Sequence, residues 1–330
     1  MRQLLTPIIY ILLLLLLASC SHVSNQDQKD KDNVPSQKSI KFSHNEQTFQ
    51  IIPLYEEVLN YTSLVKDNPS LNNKEKYFDE VLEPFQKKAS MKNININNDY
   101  FSLFLPTKNV QKLEENTIEL LKQQDQINEF IKESLIQSSK KLSGIDKTIF
   151  IMPLNPENTF PVQNMEGVSG ATLSENAVLL QIDPSFVKSA LKYAVAHEYH
   201  HTIRMESDSG KSPNLLDSFI MEGEAEVFAR MIYPDKKAPW EQKPLSDKLL
   251  DRVLDELREN ANSTTLNIYY DFVIGNSSKG IPMWANYIVG HKITQSYVEN
   301  NPEVSIEEWT KLGAKEILQG SEYRDLLKEG

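Results

Sequence analysis

Cysteine is almost absent: the 330-residue chain carries one, Cys20. A lone thiol excludes an intrachain disulfide framework and any cysteine-rich metal cluster. Basic charge is in deficit as well, with 35 Lys+Arg against 46 Asp+Glu and a formal net charge of -11. A general nucleic-acid binder needs a basic surface to displace counterions, so no nucleic-acid partner is expected. Long apolar runs are missing beyond the first twenty residues, which excludes a polytopic membrane protein. Histidine is scarce too, at six residues, yet His197, His200 and His201 lie almost together. What remains is ordinary globular composition, 40% apolar and 25% charged, in a chain long enough for two domains.

The start differs from the rest. Arg2 precedes an apolar stretch, Ile8 to Leu17, broken only by the Tyr10 ring, and Leu17-Ala18-Ser19-Cys20 follows. A charged start, a short apolar stretch and small residues at its end describe a secretory signal. About 15 apolar residues also fall short of the ~20 that span a bilayer. The final four resemble a bacterial lipobox, which implies cleavage before Cys20 and a lipid on its sulfur. The expectation is a signal peptide at 1–19, a polar flexible tether at 20–47, and a location outside the cytoplasm. There the protein would be lipid-anchored to a membrane of the bacterial cell envelope through Cys20.

Apolar residues recur at helical spacing from Tyr55 to Leu64, Lys74 to Phe85 and Val110 to Leu142. Thr148 to Met152 and Ala177 to Ile182 are short β-branched or apolar runs between turn formers and read as strands. Gly170-Ala171-Thr172 is a further strand candidate, and either segment could offer a free edge to an extended peptide. From Asp183, whose side chain can cap a helix that proline would open, the pattern is helical to the C-terminus. The fold class expected is α+β and mostly helical. A helical N-terminal region at 48–145 would precede a second domain at 146–330 with a small sheet and a helical C-terminal part.

Within the helix predicted after Asp183 lies His197-Glu198-Tyr199-His200-His201, an H-E-x-x-H pattern. Two imidazoles four apart can reach one zinc ion, and the Glu between them stands where a general base for the attacking water belongs. Steps of four from Phe186 through Ala190 to Ala194, then of three to His197 and four to His201, place the histidines on an apolar stripe, opposite Lys188 and Lys192. His200 is read as a neighbour, since taking it as ligand breaks the spacing. A catalytic zinc takes a third protein ligand. The helix predicted over Leu215 to Met231 supplies it: Leu215, Phe219, Glu222 and Glu226 share one stripe, while Glu224 should face outward. Glu222 is then the third ligand, and Glu226 accepts a hydrogen bond from the other nitrogen of a ligating histidine. Gly223 and Ala225 would let this helix approach the first one closely.

H-E-x-x-H followed about 20 residues later by E-G-x-A resembles the gluzincin class of metallopeptidases. The longer stretches Ala196 to His201 and Leu216 to Glu226 resemble the YjaZ type of predicted zinc-dependent protease, over roughly Thr148 to Tyr297. The resemblance implies a zincin-like catalytic domain acting on peptide or protein substrates. Trp284 to His291 is similar to a C-terminal helix of that family, which implies Tyr287, or else His291, as the group stabilising the oxyanion. Two other readings stay open on sequence alone. One is a non-enzymatic lipoprotein using a structural zinc site as a binding or interaction module. The other is a zinc hydrolase acting on other amides. Glu198 favours an enzyme, because a structural site needs no general base.

Overall fold

In the computed structural model, which describes residues 34–94, 96, 104–207, 213–242 and 244–328, a hairpin opens the fold. Strand β1 (Ile40–His44) pairs antiparallel with β2 (Gln47–Pro53), and Asn45 takes the positive φ of 52° at the turn. Helix α1 (Tyr55–Asp67), α2 (Asn73–Tyr77), a π-helical turn (Phe78–Leu82) and α3 (Glu83–Ser90) follow. The long α4 (Val110–Lys141) is capped by Asn109, whose side chain accepts from the Lys112 amide at 3.2 Å. Then come β3 (Lys147–Pro153), α5 (Phe160–Asn164), β4 (Val168–Ser174) and β5 (Ala177–Ile182). The remainder is helical: α6 (Lys188–Ser207), α7 (Leu215–Ile232), a 3-10 turn (Pro239–Gln242), α8 (Asp247–Asn260) and α9 (Leu266–Val273). The series closes with α10 (Ala285–Asn300), α11 (Ile306–Thr310) and α12 (Ala314–Gly320).

The protein is α+β and mostly helical. One mixed sheet runs in the order β1-β2-β3-β5-β4, with parallel pairs β2–β3 and β3–β5 between two antiparallel ones. Central strands β3 and β5 are buried throughout, which is why they read as continuous apolar runs and not as alternation. Phe150, Met152 and Leu179 pack under α1 and α3 with Val58, Tyr61 and Phe85. On the other face Ile149, Val178 and Leu180 meet Leu135 of α4 with Val195 and Tyr199 of α6. The sheet is thus a floor on which α6 is laid, with β4 as one of its two outer strands among the described residues.

Three boundaries differ from the sequence expectations. The tether does not reach residue 47: β1 and β2 lie within or across it, and Phe49 and Ile51 of β2 are fully buried. Residues 48–145 are not a separate helical region, since β2 pairs in register with β3 and the chain from Gln37 to Gly330 forms one compact unit. The Asp183-Pro184 helix start also moves. Asp183 Oδ1 accepts from both the amide and the hydroxyl of Ser185, at 2.9 and 2.5 Å, closing a local turn, so α6 starts at Lys188. Cys20 and residues 1–33, where the signal and most of the tether are expected, lie outside the described residues.

Candidate metal centre

Helix α6 is enclosed almost all round from Ala190 to Ile203, so its stripe is broader than the spacing implied. Lys188 is exposed, but Lys192 is tucked in and paired with Glu133 of α4. Helix α7 lies alongside, begun by a capping box in which Asn214 and Asp217 satisfy each other's amides at 3.0 Å.

Between these two helices three ligand atoms converge. His197 Nε2 lies 3.1 Å from His201 Nε2 and 3.2 Å from Glu222 Oε2, and His201 Nε2 lies 3.5 Å from the same oxygen. Ligands about 2.0–2.1 Å from one tetrahedral ion stand roughly 3.3–3.4 Å apart, so this triangle has the dimensions of one face of a coordination shell. Burial works against charge on each partner, yet Glu222 holds the His197 imidazolium up at about 9, while His197 and His201 hold Glu222 down at about 2. The three groups therefore favour a positive charge between them, and the donor set of two imidazoles and one carboxylate fits a divalent metal. Glu226 is fully buried behind His197, its Oε2 lying 3.9 Å from His197 Nδ1. Neither atom has a hydrogen-bond partner among the described residues, which leaves each as the nearest candidate partner of the other. Tyr193 Oη and Arg230 Nε both donate to the other oxygen, Oε1, the latter at 3.0 Å.

Glu198 points toward the sheet. Thr172 Oγ1 of β4 donates to Glu198 Oε2 at 2.8 Å, and Gly170 makes room: a Cβ there would lie 2.6 Å from the Glu198 side chain. An apolar cleft of about 90 Å³ opens beside His197 and Glu198, walled by Val168, Ala190, Ala194, Trp240 and Tyr287. Trp240 stacks on Tyr287 at 4.4 Å, and the Tyr287 ring is 6.1 Å from that of His197. Across the rim Lys236 pairs with Glu166 at 2.5 Å. Trp284, held at a left-handed φ of 63°, packs its ring against Phe160 and Trp240. Burial first, then the Glu222 carboxylate, pushes the Tyr287 phenol well above its ordinary value, so it is a hydrogen-bond donor.

The structure brings together His197, Glu198, His201, Glu222, Glu226 and Tyr287. It does not bring His291, which lines a separate cavity of about 420 Å³ with Arg230 and Glu241. His200 also points away, its Nε2 3.1 Å from Thr310 Oγ1 and its ring stacked on Trp309. Glu224 does not face outward. It is fully buried, 3.4 Å from Arg204 Nη1, and that guanidinium also holds the Thr310 and Leu312 carbonyls. Gly223 faces α10 and not α6: a Cβ there would meet the Gly290 carbonyl oxygen at 2.1 Å. Sequence reasoning missed Tyr269, whose phenol is raised by burial and next by Glu222, with Glu198 also contributing. No spacing signal links α9 to the motif, so only the fold could place it.

The geometry brings two histidines and one glutamate near enough together to hold a metal ion, with the Glu198 carboxylate beside them. Residues 127–319 match the family described as "Predicted Zn-dependent protease (DUF2268)", and the chain belongs to that family. No curated protein matches the chain, and no solved structure does.

Proposed function

We propose that the protein is a zinc metallopeptidase of zincin-like fold. It hydrolyses peptide bonds outside the cytoplasm, tethered to an envelope membrane by a lipid on Cys20. The observation that carries the reading is the convergence of His197, His201 and Glu222 with Glu198 held beside them by Thr172. His197, His201 and Glu222 would hold the ion, and Glu226 fixes the orientation of His197. The chemistry zinc supplies when bound is Lewis-acid polarisation of a carbonyl and acidification of water. Glu198 takes the proton of the attacking water and passes it to the leaving amine. Tyr287 donates to the oxygen that gains charge. The outer margin of β4 accepts the extended substrate backbone as an added strand, and the apolar cleft takes a side chain next to the scissile bond. A base aimed by its own hydroxyl partner has no use in a structural zinc site, which favours the enzyme over a binding module.

Glu198→Gln tests this directly. Peptide cleavage should fall by about 10²- to 10⁴-fold with zinc content unchanged. A wild-type protein holding stoichiometric zinc that cleaves nothing in a broad peptide library would sink the peptidase reading. For the anchor, Cys20→Ser should lose fatty-acid labelling and membrane association; retention of both would refute it.

A further inference from the structure

Arg230 is used by nothing in the mechanism above, yet it stands between two parts of the site. Its Nε donates to Glu226 Oε1 at 3.0 Å, behind His197. Its Nη2 lies 2.6 Å from Glu241 Oε2, and that oxygen also accepts from the Ala238 amide at 2.6 Å. Glu241 follows Trp240 in the 3-10 turn that carries Trp240 to the cleft wall. Three residues before that turn, Lys236 pairs with Glu166 at 2.5 Å.

The packing makes these contacts matter. Glu226 is fully buried, and its Oε1 is held by the two donors Tyr193 and Arg230. Trp240 is 9% exposed, stacks on Tyr287 and lies 6.4 Å from the His197 ring. Its Nε1 has no hydrogen-bond partner among the described residues, so its ring is placed by packing and by the fastening of its turn. One planar guanidinium with a fork of donors can serve both carboxylates at once, which a lysine ammonium cannot do at this spread.

We infer that Arg230 is a positioning residue that couples the support of His197 to the seating of Trp240 in the cleft wall. The coupling rests on the reading of His197 as a metal ligand. Because equilibrium coupling is reciprocal, zinc binding firms the Trp240 wall, and loosening that wall weakens zinc binding through Arg230.

The test uses the full chain and three readouts: zinc affinity by chelator competition, acrylamide quenching of tryptophan emission with Trp240→Phe as reference, and KM against kcat on a peptide. Arg230→Gln should weaken zinc binding by about 10- to 100-fold, the range for partners that orient a metal ligand, and raise Trp240 quenching. Glu241→Gln leaves the Arg230–Glu226 bond in place. By the same reciprocity it should raise quenching and KM and weaken zinc binding as well, by less than Arg230→Gln does, with kcat at saturating zinc held within about threefold. If Arg230→Gln does not fold, the double variant Glu226→Gln with Arg230→Gln removes the buried carboxyl group along with its partner, and both losses are expected there. Folded variants with wild-type zinc affinity and wild-type quenching overturn the proposal. Zinc affinity and quenching need no turnover, so a protein that binds zinc but cleaves no peptide would refute the peptidase reading while still testing Arg230.

Discussion

One hydroxyl determines where the Glu198 carboxylate lies. Thr172 Oγ1 bridges the carboxylate and the backbone carbonyl of Glu198, at 2.8 and 3.0 Å, so the side chain is aimed by a rigid strand and not by its own rotamers. Thr172→Val should lower kcat by about 10- to 100-fold, the scale of a small misplacement in the reacting geometry, while Thr172→Ser restores it and zinc content stays constant. Glu224 gives a second test. Burial raises its carboxyl to about 8 from 4.5, against the pull of Arg204. The folded protein then binds a proton that the unfolded chain releases, so stability falls as pH rises across that window. Glu224→Gln should flatten the decline in melting temperature between about pH 5 and 8. The convergence of His197, His201 and Glu198 was legible because H-E-x-x-H fixes their relative positions within one helix, and that of Glu222 because its stripe is shared with Leu215 and Phe219. Glu224 was not, because a helical wheel grants every helix an outward face, and α7 is covered on that side by Arg204 and the loop it holds.

The helices that carry the site touch through their backbones. Gly223 of α7 and Gly290 of α10 meet where no Cβ fits: one built on Gly290 would lie 1.9 Å from the Phe219 carbonyl oxygen. Gly290→Ala must part α7 from α10, at a cost of about 1–3 kcal/mol or more for forced overpacking. Zinc affinity should drop with it, since α7 carries Glu222 and Glu226. Thermal denaturation and chelator competition on the same variant would measure both. Strand β5 and the long α4 were readable because each keeps one periodicity, buried run or helical repeat, over its whole length. The β1–β2 hairpin was hidden: its first strand alternates in Ile40-Lys41-Phe42-Ser43-His44 and sits in a polar stretch that resembles linker.

At the scale of the molecule, the sheet joins what the chain length divided. Strand β2 pairs with β3 from Phe49 opposite Lys147 to Pro53 opposite Ile151, and α4 lies against α6 through contacts such as Ser134 Oγ on the Lys192 carbonyl at 2.7 Å. The family match begins at residue 127, inside α4, so it does not mark where the folded unit starts. A fragment of residues 146–330 would expose Ile149 and Phe150, which are at most 1% exposed in the intact fold. It is expected to be insoluble or unfolded by circular dichroism, whereas residues 37–330 should fold and bind zinc. A soluble, zinc-binding fragment would contradict the shared core. The two-domain expectation failed because length alone cannot distinguish two cores from one sheet assembled from distant segments.

The β4–β5 pairing has a mechanical consequence. Gly170 and Thr172 are two residues apart and so present the same face of β4, with Gly170 opposite Leu180 and Thr172 opposite Val178. The turn at Glu175 and Asn176 pairs Ser174 with Ala177, and a register shift between Ser174 and Thr172 carries the ladder on to that pairing, with Ser174 Oγ on Asn176 Oδ1 at 2.7 Å. One residue inserted there would slip β4 by a single step and turn its other face to Glu198. Ala171 would then crowd the space that Gly170 leaves open, and the hydroxyl would point away. The hairpin turn and the register shift beyond it thus act together as the register stop for the Glu198 side chain.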